Sequence, residues 1–153
     1  MSETSPILIV EARFYEDIAD ELVAGASEAL AAQGYQPIDR IAVPGAFEIP
    51  AAIAIAAQAA RSGGGPDYAG YVALGCVIRG ETTHYDYVCS ESARGLMDLA
   101  VRDRLAIGYG ILTVENRAQA WARADRRQGN KGAAAAAACC DMIRLRARFG
   151  IGR

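Results

Sequence analysis

The chain has one histidine, His84, which follows a glycine-rich turn in the segment LGCVIRGETTHYDYV (residues 74–88). The turn has the G-x-x-x-x-G spacing of a nucleotide-binding loop, in which a lysine and then Ser or Thr would follow the second glycine. Here Glu81 stands in the place of the lysine, and Thr82 follows it. A carboxylate at this position argues against binding of a nucleoside triphosphate with magnesium.

The same turn still predicts a site for a smaller anion. The backbone N–H groups of Gly80, Glu81 and Thr82 would lie at a helix start, where unpaired N–H groups favour negative charge. A single phosphate on a small substrate fits such a site if a cation balances its charge. Arg79 and Arg123 are the candidate cations.

The position of His84 favours proton transfer. Thr82 or Thr83 can cap the helix that follows, and Thr83 with Asp86 has the spacing of a capping box. His84 would then lie in the first turn, where the positive end of the helix dipole disfavours the imidazolium and leaves a neutral ring that can accept a proton. The alternative is a histidine without a role. Its place behind a buried strand and a glycine-rich turn favours the functional interpretation.

Three other residues could contact a ligand. Glu48, in VPGAFEIP (residues 43–50), either balances the dipole of the helix that it begins or accepts hydrogen bonds from hydroxyl groups. Phe14 directly follows the first predicted strand and is either a core residue or a stacking surface. Lys131, in GNKG (residues 129–132), either marks a helix break or meets a polar ligand atom.

Composition limits the class of protein. A chain of 153 residues fits one domain, spanning residues 1–153, with one sizeable core. Its net charge of −2 argues against a nucleic-acid partner, and the basic residues near the C-terminus fit a solvated helix face.

The sequence also predicts a cytoplasmic protein without membrane contact. The longest apolar run, IPAAIAIAAQAA, is interrupted by Gln58 and is shorter than the roughly 20 residues of a membrane span, and the N-terminus lacks a basic region typical of secretion. The cysteines show no C-x-x-C spacing, which favours reduced thiols and no metal site. They are Cys76, Cys89, Cys139 and Cys140.

Strand and helix patterns alternate along the chain. Strands are predicted at Pro6–Ala12, Ile38–Gly45, Tyr68–Ile78 and Ala106–Val114. Helices are predicted over residues 16–34, 49–65, 83–104, 116–127 and 131–150. This order predicts a three-layer α/β/α sandwich, a four-stranded parallel sheet with helices on both faces.

The fold would bring the candidate residues together. In open α/β sheets, ligands bind beyond the carboxyl ends of the strands, and residues 13–14, 43–48, 77–84 and 113–116 occupy those ends. The residues alone therefore predict a site without a cofactor or metal, which binds a small phosphorylated compound and an aromatic partner. They do not identify the reaction.

Over residues 7–149 the chain resembles the lumazine synthase (6,7-dimethyl-8-ribityllumazine synthase) family, whose fold is flavodoxin-like. The segments that carry the resemblance, in the family's order and spacing, are EARFYEDIADELVAGASEAL, VPGAFEIPAAI, ALGCVIRGETTHYDYVCSES, GYGILTVENRAQAWARA and GNKG. The resemblance implies the penultimate step of riboflavin biosynthesis. In that reaction 5-amino-6-(D-ribitylamino)uracil condenses with 3,4-dihydroxy-2-butanone 4-phosphate without a cofactor, releasing phosphate and water.

The resemblance also implies roles for individual residues. His84 would transfer the proton, while Glu81, Thr82 and Arg123 would bind the butanone phosphate. The aminouracil would be bound by Phe14, Ala46, Phe47, Glu48, Cys76, Val77, Ile78, Tyr109 and Lys131.

The family's assembly provides further expectations. Its members form pentamers in which neighbouring subunits share each active site, and some close twelve pentamers into a shell. The resemblance therefore implies a pentamer, and the linker before the last helix carries no insertion, so closure of twelve pentamers into a shell stays open. Riboflavin synthase is a candidate partner. Tyr15 and Ala134 depart from the family, which often has Asn and an acidic residue at these positions.

Three other functions fit parts of the pattern. A paralogue that binds riboflavin or lumazine with little turnover would keep the fold, although it has no use for a phosphate site and a base. A structural cage would assemble independently of His84. A flavodoxin-like FMN domain would need a hydroxyl-rich loop after the first strand, where EARFYED stands instead.

Overall fold

A four-stranded parallel sheet forms the centre of the molecule. The structure is a computed structural model that describes residues 5–152, so residues 1–4 and 153 of the predicted domain lie outside the described residues. The strands are β1 (Ile7–Ala12), β2 (Ile38–Val43), β3 (Gly70–Ile78) and β4 (Ile107–Val114). Their order in the sheet is β2-β1-β3-β4.

Helices cover both faces of this sheet. They are α1 (Glu16–Ala32), α2 (Ile49–Arg61), α3 (His84–Arg102), α4 (Arg117–Ala124) and α5 (Lys131–Arg148). A short 3-10 helix, Ala46–Glu48, precedes α2. The predicted three-layer, flavodoxin-like fold is therefore confirmed, with strand and helix ends within a few residues of those predicted.

The sequence pattern explains the layers. All six residues of β1 are buried, as its nearly continuous apolar run predicts for a strand between two parallel neighbours. On α1, Ile18, Leu22, Ala26 and Leu30 form the apolar stripe, and each is fully buried. One core lies between the sheet and α1, α4 and α5, and the second lies between the sheet and α2 and α3.

Glycines let α5 approach its neighbours closely. A Cβ on Gly108 of β4 would overlap the carbonyl oxygen of Ala135, and one on Gly132 would overlap the carbonyl oxygen of Leu22 on α1. The start of α5, including Lys131, is therefore fixed against α1.

One charged residue lies inside the sheet. Glu11 on β1 is 2% exposed, and its carboxylate accepts hydrogen bonds from Arg40 of β2 at 2.8 and 3.0 Å and from Arg13 at 2.5 Å. Arg13 also pairs with Asp20. Burial alone raises the pKa of Glu11, but the two guanidinium groups outweigh it and hold this pKa below its usual range.

The start of α3 differs from its predicted capping. The Thr83 side chain makes no capping hydrogen bond, so the predicted capping box is wrong. Instead the amide of His84 donates to Oγ1 of Thr82 at 3.3 Å, and the amide of Asp86 donates to the carbonyl of Thr83. Thr83 already has helical backbone angles, whereas a capping residue normally has extended ones. Within residues 5–152, no helix is long and apolar enough to cross a membrane.

Candidate active site

A cavity of about 370 Å³ opens at the carboxyl edge of the sheet. It lies where β1 and β3 end, between the 3-10 helix and the start of α3. Its lining residues are Phe14, Tyr15, Gly45, Ala46, Phe47, Glu48, Cys76, Val77, Ile78, His84 and Val88. The edge is the one at which open α/β sheets bind ligands.

The segment after β1 supplies an aromatic wall. Phe14 is 74% exposed, so it is not the core residue that the sequence left open as an alternative. Its ring meets the Tyr15 ring edge to face, with centroids 4.9 Å apart and planes at 73°. An exposed ring beside a cavity can stack on a planar ligand.

The segment after β2 supplies a polar wall. Gly45 is extended, and Ala46, the first residue of the 3-10 helix, is buried, while Phe47 is 55% exposed. The Glu48 carboxylate turns back toward Gly45, where an added Cβ would lie 3.4 Å from Oε1. Glu48 makes no capping hydrogen bond to α2. Its oxygens can therefore accept hydrogen bonds from a ligand in the cavity.

The end of β3 forms the floor. Cys76, Val77 and Ile78 are partly buried and still paired with β4, so their backbone is held by the sheet. Burial raises the pKa of the Cys76 thiol to about 11. The thiol is therefore neutral near pH 7, which makes Cys76 a wall of the cavity and not a nucleophile.

His84 is the titratable side chain that α3 brings to the cavity. It is the first residue of α3 and is exposed, and Val88 lies one turn later on the same face. His84 lines the same cavity as Phe14 and Glu48. This arrangement can move a proton to or from a ligand that the other two walls hold.

The turn before α3 offers N–H groups beside the cavity. Glu81 and Thr82 are exposed and do not line the cavity, and no hydrogen bond within residues 5–152 uses the amides of Gly80, Glu81 or Thr82. Three free N–H groups at a helix start can bind an anion.

Of the two candidate cations for such an anion, Arg79 is occupied. Its Nε donates to Glu115 at 2.8 Å, it lies 3.5 Å from Asp86, and its guanidinium stacks 4.3 Å from the centre of the Tyr85 ring. Arg123 has no carboxylate partner within residues 5–152, and its Nη1 donates to the carbonyl of Gln119 at 3.0 Å. Of the two, Arg123 therefore has the guanidinium that is free of carboxylates within the described residues.

Tyr109, Arg123 and Lys131 do not reach this cavity. Tyr109 lies in the middle of β4, where it pairs with Ala73 of β3. The cavity begins at Cys76, three residues further along β3, which is about 10 Å away at roughly 3.3 Å per residue. Arg123 on α4 and Lys131 on α5 belong to the layer on the opposite face of the sheet from α3. All three side chains are exposed.

Sequence reasoning missed three lining residues, Tyr15, Gly45 and Val88. Tyr15 follows Phe14 directly, and Val88 follows His84 by one helical turn, so both could have been found from spacing. Gly45 lies within the Pro-Gly turn that precedes Ala46. Within the described part of the chain, no three His, Cys, Asp or Glu side chains group together as metal ligands would.

Comparison with known proteins assigns the family. The sequence model of the 6,7-dimethyl-8-ribityllumazine synthase family matches residues 5–147. The 6,7-dimethyl-8-ribityllumazine synthase 1 of Rhizobium meliloti (strain 1021) is 60% identical over 144 residues, covering 94% of this chain and 93% of the relative. The synthase of Bartonella tribocorum is 56% identical over 100% of this chain and 97% of its own length, and that of Agrobacterium fabrum is 57% identical over 94% and 96%. The chain belongs to the 6,7-dimethyl-8-ribityllumazine synthase family.

Proposed function

We propose that the chain catalyses the condensation of 5-amino-6-(D-ribitylamino)uracil with 3,4-dihydroxy-2-butanone 4-phosphate to 6,7-dimethyl-8-ribityllumazine. The observation that carries the proposal is the cavity in which an exposed aromatic ring, a carboxylate and a histidine meet at the carboxyl edge of the sheet, in a chain of this family. The aromatic ring is Phe14, the carboxylate is Glu48 and the proton carrier is His84.

The reaction balances without an oxidant, a reductant or a metal. The 5-amino group attacks the butanone carbonyl and forms an imine with loss of one water. Loss of a proton from the hydroxyl-bearing carbon and departure of inorganic phosphate leave an enol, which tautomerises to a second carbonyl. The ribityl-bearing nitrogen then closes the ring on this carbonyl with loss of another water. Holding the two substrates side by side supplies about 7–11 kcal/mol of the barrier reduction.

Different walls of the cavity bind different parts of the aminouracil. Phe14 stacks on the pyrimidine, and the backbone of residues 76–78 meets its polar edge, because the register of β1 with β3 ends at Leu74 and leaves the β1 side of that backbone open. Residues 46–48 hold the ribityl chain, with the Glu48 carboxylate accepting hydrogen bonds from its hydroxyls. The absence of a capping hydrogen bond from Glu48, within the described residues, supports this role.

The butanone phosphate binds at the start of α3. The free amides of Glu81 and Thr82 donate to the phosphate, and Arg123 supplies the countercharge. This arrangement puts the substrate carbons beside His84, which takes and returns protons during imine formation and phosphate loss.

We also propose that a second copy of the chain completes each site. Tyr109, Arg123 and Lys131 are exposed and lie away from the cavity of their own chain, so a neighbouring subunit in a pentamer would bring them to it. Ile55 on α2 and Met97 and Val101 on α3 are exposed apolar side chains that such contacts would cover. The four free cysteines fit a reducing compartment, and a cytoplasmic location is part of the proposal.

The first test mixes the purified protein with both substrates and follows lumazine absorbance and phosphate release. We expect equal rates of both, and a fall in kcat/KM for the butanone phosphate of about 10- to 100-fold in Arg123→Ala, because a charge-assisted hydrogen bond is lost. Arg61→Ala is the matched control. Arg61 lies at the other end of the sheet, at the end of α2, so its removal leaves both rates unchanged.

Two results would redirect the assignment. Absence of turnover in the wild type, together with tight riboflavin binding, would identify a flavin-binding paralogue. Turnover that is equal in Arg123→Ala and in the wild type would remove Arg123 from the phosphate site and leave the activity itself in place.

A further inference from the structure

Tyr15 lies between the candidate site and the core. Its ring lines the cavity and also packs against the buried cluster under α1. Its carbonyl accepts a hydrogen bond from the amide of Ala19 at 2.9 Å, which fixes it at the start of α1. Burial raises the pKa of its phenol, so the ring is neutral and its contacts are those of an apolar aromatic group.

Phe14 has no comparable anchor of its own. Its side chain is 74% exposed, and within residues 5–152 its one aromatic contact is the Tyr15 ring. The backbone on its other side is held, because Arg13 pairs with Glu11 and Asp20. The freedom that remains is rotation of the Phe14 side chain itself, and the edge-to-face contact with Tyr15 restricts that rotation.

We infer that Tyr15 is a positioning residue for the pyrimidine substrate, and that its ring holds Phe14 in the orientation in which Phe14 stacks on the ligand. The inference rests on the proposed function. An exposed ring that is already ordered loses less conformational freedom when the ligand binds, so the contact strengthens binding of the stacked substrate. It has no such effect on the butanone phosphate, which binds at the start of α3.

The test compares a variant that keeps the ring with variants that remove it. Tyr15→Phe keeps the ring and removes the hydroxyl, whereas Tyr15→Leu and Tyr15→Met remove the ring and keep apolar volume. We expect the KM for the aminouracil to rise about three- to tenfold in the two ring-deleted variants, the range that corresponds to one lost aromatic pair. The KM for the butanone phosphate and kcat should change by less than about twofold, and Tyr15→Phe should keep the wild-type aminouracil KM.

A double-mutant cycle separates positioning from a general effect on stability. In a Phe14→Leu background, the Tyr15→Leu change should raise the aminouracil KM no further, because Tyr15 acts through the ring that is already absent. Melting temperatures of all variants verify that each is folded, and Tyr15→Met keeps the comparison available if Tyr15→Leu folds poorly.

Four outcomes would overturn the inference. They are an unchanged aminouracil KM in Tyr15→Leu and Tyr15→Met, an equal rise in Tyr15→Phe, equal effects on both substrates, and full additivity with Phe14→Leu. The wild type is assayed first, because missing turnover there would refute the proposed function and this inference together. Wild-type turnover with any of the four outcomes would refute only the role of Tyr15.

Discussion

His84 shows how the start of a helix can set the chemistry of one side chain. Its amide is bound by Thr82, and its imidazole reaches the cavity from the first position of α3. Among the other residues that line the cavity, Cys76 has a neutral thiol near pH 7, because burial raises its pKa to about 11. Proton transfer by His84 is the role that we propose for it.

Replacing this histidine should slow the reaction without weakening binding. We expect His84→Ala to lower kcat by about 10²-fold, the lower end of the range for general acid–base catalysis, because water can partly replace the imidazole. The KM values should stay within about threefold, as steady-state kinetics with both substrates would measure.

Ser90→Ala, an exposed change on the same helix, is the control for this experiment. An unchanged kcat in His84→Ala would mean that the histidine is only the first residue of α3.

At the scale of elements, the buried carboxylate of Glu11 joins two strands that lead into the site. Arg40 lies on β2, which continues into the segment of Glu48, and Arg13 follows β1, which continues into Phe14. The Glu11 carboxylate therefore fixes two walls of the cavity relative to each other. Removing its charge would leave two arginines beside an uncharged partner inside the sheet.

The pH dependence of the free energy of unfolding should show how much the charge of Glu11 contributes. Because the folded-state pKa of Glu11 is lowered, its charge stabilises the fold above its usual pKa of 4.5, and this contribution is lost as pH falls through the folded-state value. We expect Glu11→Gln to lower stability by about 1–3 kcal/mol at pH 7. The difference from the wild type should shrink below pH 4.5, measured as melting temperature at fixed protein concentration.

Glu91→Gln provides the comparison, since Glu91 pairs with Arg94 on the exposed face of α3 and its loss should leave the melting temperature unchanged. A Glu11→Gln variant whose deficit is the same at pH 4 and pH 7 would contradict the electrostatic explanation.

The elements of the fold could be predicted because their signals are local. The apolar residues of β1, like the stripe on α1 and Gly34 after it, lie within a few residues of one another. The pairing of Glu11 with Arg40, 29 residues away, has no local signal, and neither has the helical backbone conformation of Thr83. Both depend on backbone angles and strand order, which the sequence pattern does not specify.

Like the fold, the candidate site could be predicted in part from the sequence. Eight of the residues expected to bind or react line one cavity, because strand ends meet at one edge of a parallel sheet. Tyr109, Arg123 and Lys131 were expected there too, but Tyr109 lies in the middle of β4, before the level of the cavity, and Arg123 and Lys131 lie on helices of the opposite face of the sheet. A single sequence carries no signal of which partners come from another copy.

At the scale of the whole molecule, the separation of Arg123 from the cavity of its own chain makes a prediction. Two inactive variants should complement each other when they assemble together. In a ring where one subunit supplies His84 and its neighbour supplies Arg123, mixing His84→Ala with Arg123→Ala chains creates some sites with both residues intact. Random mixing should restore about one site in four, since each intact contribution occurs with a probability of one half. Co-expression of the two variants, followed by the lumazine assay, measures this recovery.

Each variant purified alone and mixed after assembly provides the control, because subunits that do not exchange cannot form hybrid sites. The mass of the assembly in solution, measured by analytical ultracentrifugation, should be five times that of one chain or a multiple of it. A co-expressed mixture no more active than the better single variant would place all catalytic groups within one subunit.

The burial of the Cys76 thiol in the cavity wall affects how this thiol reacts with oxidants. With its pKa raised to about 11, the Cys76 thiol is ionised in only about one molecule in 10⁴ at pH 7. Peroxides and electrophilic metabolites attack the thiolate and scarcely react with the thiol. The same burial that shapes the floor of the cavity therefore protects it from chemical inactivation.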